Sequence, residues 1–131
     1  MCIFCKIINN EIPSKKVYED DDVVAILDIS QAGYGHTLVM PKKHYENILE
    51  IPDNEYSKVM SAVKKLSEKI NKNVKPDGIN VINNTNEAAG QTVMHYHVHI
   101  IPRFKDDDIR FITPDHQNKY DLDEVLKKVC E

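Results

Sequence analysis

Residues 95–101 read His95-Tyr96-His97-Val98-His99-Ile100-Ile101. Three of the chain's six histidines stand at alternate positions, with apolar or aromatic residues between them. Alternation is the period of a strand. The three imidazoles are therefore expected on one face of one strand, stepping roughly 6.6 Å at a time. Imidazole titrates near neutrality, which suits it to be a nucleophile, a proton donor or a metal ligand. Two chemistries fit such a row. One is a catalytic metal held by two or three imidazoles with a position left open for water. The other is attack by one imidazole on phosphorus, while its neighbours hold the phosphate and assist the leaving group. The strand alone does not separate them.

The segment Asn83-Asn84-Thr85-Asn86-Glu87-Ala88-Ala89-Gly90-Gln91-Thr92 runs directly into the histidine row. It offers amides, a hydroxyl and backbone N–H groups, beside a glycine that permits close approach. Such donors suit phosphate oxygens whose charge grows during transfer. Cys2-x-x-Cys5 is half of a tetrahedral metal site; a redox pair would want a βαβ context that the sequence lacks. His36 follows Gly35 at the start of an apolar run and reads either as a partner of the row or as a satisfied core histidine. His116 in the polar tail reads as solvated, Cys130 as a partly buried thiol, and Lys42-Lys43 as a solvated turn.

The elements that position these groups follow from periodicity. Ile3–Asn9 reads as a short helix or turn. Lys16–Glu19 and Val23–Leu27 read as two strands around the acidic turn Glu19–Asp22. His36–Met40 is a third strand, ended by Pro41. Residues 54–73 carry Tyr56, Val59, Met60, Val63, Leu66 and Ile70 on one helical face, with Asp53 or Asn54 as N-cap. Gly78–Asn83 is a fourth strand, 84–91 a polar loop, and Val93–Ile101 a fifth strand carrying the histidines. Lys105–Asp115 reads as an exposed arm, and Leu122–Cys130 as a C-terminal helix. The class is α+β, with about five mostly antiparallel strands and two main helices.

Bulk properties narrow the function classes. The 131 residues suit one domain and one core. The net charge of −4 argues against nucleic acid and anionic membrane as partners, though not against a small phosphate ligand. No apolar run approaches the ~20 residues of a membrane span, and the start lacks the form of a signal peptide. A cytoplasmic protein is expected, with its three cysteines as thiols or metal ligands.

Together the motifs resemble the histidine triad family. His95-Tyr96-His97-Val98-His99-Ile100-Ile101 is similar to its His-x-His-x-His-x-x signature. Further matching pieces are Phe4 and Ile7, Ile12-Pro13, Glu19-Asp20, Leu27-Asp28-Ile29-Ser30, Gly35-His36-Thr37-Leu38-Val39-Met40-Pro41-Lys42-Lys43-His44, and Ala89-Gly90-Gln91-Thr92-Val93. The resemblance spans about 2–103 of a single domain over 1–131. It implies a nucleotidyl hydrolase or transferase acting through a covalent nucleotidyl-histidine, on a catalytic set of His95, His97, His99 and His36. His97 is the implied nucleophile, and His99 touches the phosphate and the leaving group. Asn84, Gly90, Gln91 and Thr92 match positions around the phosphate, and Asp28 the acid that binds ribose hydroxyls. Phe4, Ile7, Ile26 and Ile29 match the purine slot; the plain alternative for Ile26 and Ile29 is core. Some similar proteins complete a structural zinc site with the equivalents of His44 and His95. This implies Cys2, Cys5, His44 and His95 as ligands to Zn2+, with no metal needed for the chemistry. A homodimer whose two sheets join is implied as well. Asn84, the short chain and the Cys-x-x-Cys start favour the Hint-like branch, which cleaves purine nucleoside phosphoramidates. The alternatives are a diadenosine polyphosphate hydrolase, a nucleotide-binding regulatory module and a metal-dependent hydrolase.

Overall fold

The computed structural model describes residues 2–131. Five strands form one antiparallel sheet: β1 (Lys16–Glu19), β2 (Val23–Leu27), β3 (Thr37–Pro41), β4 (Gly78–Ile82) and β5 (Val98–Arg103), in the order β1-β2-β3-β5-β4. The helices are α1 (Ile3–Ile8), α2 (Asp53–Val74) and α3 (Leu122–Cys130).

Strand alternation divides the sheet into two faces. Val23, Ala25, Val39, Val98 and Ile100 form one cluster with Val59, Ala62, Val63 and Leu66 of α2. Val24, Ile26, Leu38 and Met40 form another with Phe4 and Ile7 of α1. Because Val98 and Ile100 face α2, His99 belongs to the α1 face. The register there pairs it with Leu38 on β3 and Ile82 on β4.

Several expectations need correction. The fifth strand starts at Val98, so His95 and His97 precede it and the triad does not lie on one strand. The reason is hydrogen bonding that alternation cannot reveal. Tyr96 N–H donates to the Tyr45 carbonyl at 2.6 Å, and the His97 carbonyl accepts from Asn83 Nδ2 at 3.0 Å. These groups are spent on a loop and a side chain instead of a ladder. The third strand is shifted by one residue: His36 lies outside it, and Pro41 lies inside it opposite Val23. The fourth strand ends at Ile82, before Asn83. The loop contains a 3-10 turn over Glu87–Ala89.

Neither Asp53 nor Asn54 caps α2. Pro52 holds the N-cap position without a side-chain bond, and Asp53 and Glu55 put negative charge in the first turn. Among the described residues the two main helices are α2 and α3, and the short helix or turn expected at Ile3–Asn9 is the helix α1. Cys130 is exposed, because α3 buries none of its residues. Lys42 pairs with Glu19 at 3.1 Å and Lys43 with buried Glu55 at 3.6 Å, so both are engaged in ion pairs. No helix among the described residues is long and apolar enough to cross a membrane.

Candidate active site

Helix α1 lies across the β2–β3 half of its sheet face and leaves a pocket of about 380 Å³ beside it. Phe4 and Ile7 of α1, Ile26 of β2, Asp28, Ile29, Thr92, His97 and His99 line it together. Leu27, Ile12 and Ser14 contribute as well. The core alternative fails for Ile29, which is 100% exposed, and fits Ile26, which is buried and also borders the pocket.

His97 is buried, and its Nδ1 donates to the His95 carbonyl at 2.7 Å. That bond fixes the proton on Nδ1 and leaves the Nε2 lone pair free. Phe4 packs edge-on against the His97 ring at a centroid distance of 4.9 Å. Burial pushes the His97 pKa below its ordinary value, so the ring is neutral and carries a lone pair.

His99 is oriented by His36. Ala32 N–H donates to His36 Nδ1 at 3.1 Å, so the neutral His36 ring carries its proton on Nε2. That nitrogen lies 2.9 Å from His99 Nδ1, which accepts the proton's hydrogen bond, and His99 Nε2 is left as an N–H donor. Asp28 Oδ2 sits 3.7 Å from His36 Nε2. Burial lowers the pKa of His36, with Asp28 opposing the shift. Burial, reinforced by His97 and His36, brings His99 down to about 4.

Gln31, to which the sequence points in no way, and Asn83, whose amide is expected at the phosphate, hold this frame. Gln31 Nε2 donates to the carbonyls of Asp28 and His36 at 2.6 and 2.7 Å, while its Oε1 accepts from Gly35 N–H at 2.8 Å. One side chain thereby braces the loop bearing both Asp28 and His36. Asn83 fixes the His97 carbonyl, as described above. No sequence period marks either residue.

The loop residues divide. Thr92 lines the pocket. Gln91 is buried, and its amide is consumed by the Glu46 and Val93 carbonyls and by Asn86 N–H, so it shapes the loop rather than presenting a group to the pocket. Gly90 holds φ +97°, where a side chain is strained. Asn84 lies against Gly90 and borders a second cavity on the far side of His99.

A metal-competent group sits behind the pocket. Sγ of Cys2 and Cys5 and Nδ1 of His44 and His95 converge within 4.8 Å of one another. The individual separations are 3.1 Å between sulfurs, 3.4–3.6 Å between sulfur and nitrogen, and 3.2 Å between nitrogens. These approximate the edges of a tetrahedron about one ion with two thiolate and two imidazole ligands. His95 Nε2 donates to the Pro41 carbonyl at 2.8 Å, which leaves its Nδ1 lone pair for a metal. Burial and the neighbouring Cys2 push the Cys5 thiol up to about 11, a penalty that a bound cation removes. The donor set therefore fits zinc, and His95 stands in this group and is not among the residues that line the pocket. His116 is exposed and lies in neither group.

The HIT domain family matches residues 9–106. An uncharacterized HIT-like protein of Methanocaldococcus jannaschii is 51% identical over 129 residues, covering 98% of each chain. The crystal structure of a HIT family member from Bacillus subtilis superposes with a TM-score of 0.93 at 45% identity, covering 98% of this chain and 94% of that one. A zinc-bound histidine triad family protein from Mycobacterium smegmatis has a TM-score of 0.79 at 33% identity, over 88% and 85% of the two chains. Two relatives are named for activities. An adenosine 5'-monophosphoramidase of Candida albicans is 42% identical, over 78% of this chain and 70% of its own. An adenylylsulfatase of Arabidopsis thaliana is 43% identical, over 78% of this chain and 52% of its own.

Proposed function

The chain belongs to the HIT family, and on that premise we propose that it hydrolyses purine nucleoside phosphoramidates, cleaving the P–N bond between adenylate and an amine. One observation carries the reading. His97 is locked as the Nδ1–H tautomer with Nε2 free, on the wall of a pocket that also holds an aromatic ring, a carboxylate and a hydroxyl.

In this account the purine lies among Phe4, Ile7, Ile26 and Ile29. Asp28 accepts from the ribose hydroxyls. Thr92, with the loop at Asn84 and Gly90, holds the phosphate. His97 Nε2 attacks phosphorus and the P–N bond breaks. The P–N bond's electron pair goes to nitrogen. One proton taken up from solvent with the anionic substrate is delivered through His99 to that nitrogen, so the amine departs neutral and His99 ends the step neutral, its Nδ1 again accepting from His36. Water then attacks the adenylyl-histidine, its proton is released past His99 to solvent, and adenylate and free His97 are regenerated. Zinc on Cys2, Cys5, His44 and His95 would supply structural cross-linking. It would tie α1 to the segment that leads into His97, while the chemistry proceeds on the protein's own residues.

The edge strand β4 has an unpaired side through which a second copy could extend the sheet, consistent with a homodimer. Thiolate ligands suit a reducing cytoplasm. The test compares kcat/KM for adenosine 5'-phosphoramidate and for diadenosine polyphosphates. Faster turnover of the phosphoramidate is expected, and a clear preference for the dinucleotide would refute the assignment.

A further inference from the structure

His99 stands in the wall between two cavities. On one side is the pocket just described. On the other is a cavity of about 640 Å³, lined by His36 and His99 with Asn80, Ile82, Asn84, Ala89, Ile101 and Phe111. The sheet explains the placement. Asn80 pairs with Ile101 and Ile82 with His99, so these four side chains share one face. Helix α1 covers the β2–β3 half of that face. The β4–β5 half is left open, and Phe111 of the arm stands over it.

Resting on the phosphoramidase reading, we propose that this second cavity receives the amine half of the substrate, and that it selects an uncharged amine with an aromatic or branched apolar body. The geometry of displacement supplies the first reason. A leaving group departs on the side of phosphorus opposite the attacking atom. His97, the attacker, lines the first pocket and not the second, whereas His99, the proton donor, lines both.

Lining chemistry supplies the second reason. Ile82, Ile101 and Phe111 are apolar, and Asn80 and Asn84 offer amides. The titratable groups in the lining are the imidazoles of His36 and His99, and no carboxylate, lysine or arginine is among the lining residues. Arg103 does reach the wall, over the Phe111 ring at 5.4 Å and onto Asn80 Oδ1 at 2.8 Å. Its guanidinium, however, is paired with both oxygens of Asp107 at 2.8 and 3.0 Å. An anionic leaving group would meet no lysine there and an arginine already paired with Asp107, whereas an aromatic amine would bury apolar surface against Ile82 and Phe111.

The test uses three adenosine 5'-phosphoramidates: unsubstituted, N-benzyl, and N-(2-sulfoethyl). The expected kcat/KM for the benzyl amide exceeds that for the sulfoethyl amide by about tenfold or more, the scale of discrimination that pocket contacts supply. Phe111→Ala removes an exposed ring and is expected to lower the benzyl-to-unsubstituted ratio several-fold. Ala89→Lys places a cation at the exposed rim of the cavity and is expected to raise the sulfoethyl-to-benzyl ratio. Equal use of the benzyl and sulfoethyl amides, with ratios that neither variant moves, would overturn the subsite while leaving the phosphoramidase reading intact. Failure to turn over any of the three would overturn both.

Discussion

His97 Nδ1 donates to the carbonyl of His95 at 2.7 Å, so the proposed nucleophile hangs from the backbone of a residue whose own ring belongs to the metal-competent group. The two sites share a peptide but divide the imidazoles. His95 faces the sulfurs, and His97 faces the pocket. Replacing His97 by Ala should abolish turnover while leaving adenylate binding and the fold largely intact, because Phe4, Asp28 and Thr92 remain. Substantial turnover by the purified variant, with binding followed by calorimetry, would remove His97 from its assigned role.

Zinc is expected at about one per chain, with two sulfur and two nitrogen ligands visible by X-ray absorption. Cys2→Ser or Cys5→Ser should lower both metal content and Tm, since metal-binding energy is partly folding energy. Activity below the unfolding temperature should fall only modestly. Loaded protein without metal–sulfur scattering would dismiss the site. Turnover that vanishes on chelation of still-folded protein, and returns with zinc alone, would point to metal-dependent chemistry instead.

Acid should destabilise the fold through its buried and half-buried histidines. His99 is held at about 4, against an ordinary 6.5, by burial and by His97 and His36; His36 is lowered too. A depressed histidine pKa means that the unfolded chain binds protons which the native state refuses. This contribution to stability is complete above the ordinary value and is lost as pH falls from about 6.5 toward 4. Tm should drop across that window, and His99→Gln should flatten the drop. An identical slope in the variant would contradict the assignment.

Gln31 spans the Asp28 and His36 carbonyls and the Gly35 N–H. Gln31→Ala should cost about 1–2 kcal/mol and raise KM for the phosphoramidate several-fold, since it loosens the loop bearing the ribose carboxylate and the partner of His99. Gln31→Glu should be at least as damaging, because a carboxylate would face two carbonyl oxygens. Chemical denaturation together with steady-state kinetics checks both, and unchanged KM in either variant would restrict Gln31 to a surface role.

The fold was largely legible where one period dominated. Lys16–Glu19, Val23–Leu27 and Leu122–Cys130 form the elements expected, and α2 differs by one residue at each end. Legibility failed where side chains replaced the backbone ladder. Apolar alternation runs through 93–101, yet Tyr45 and Asn83 take the hydrogen bonds around His97 and delay the strand to Val98. Gln31 and Asn83 act through contacts that no local spacing encodes, and the spending of Gln91 on Glu46 is equally long-range. The helix face of α3 was readable, but its complete exposure was not, because periodicity reports an apolar stripe and not what covers it.

The central claim is a covalent adenylyl group on His97. His99→Ala protein mixed briefly with adenosine 5'-phosphoramidate, quenched in base to preserve a phosphohistidine-type bond, and weighed intact should carry the added mass of one adenylyl group. Peptide mapping should place that group on residue 97, and the adduct should be absent when His97→Ala is added to the same chain. Turnover without any adduct, or an adduct that survives the loss of His97, would contradict the account.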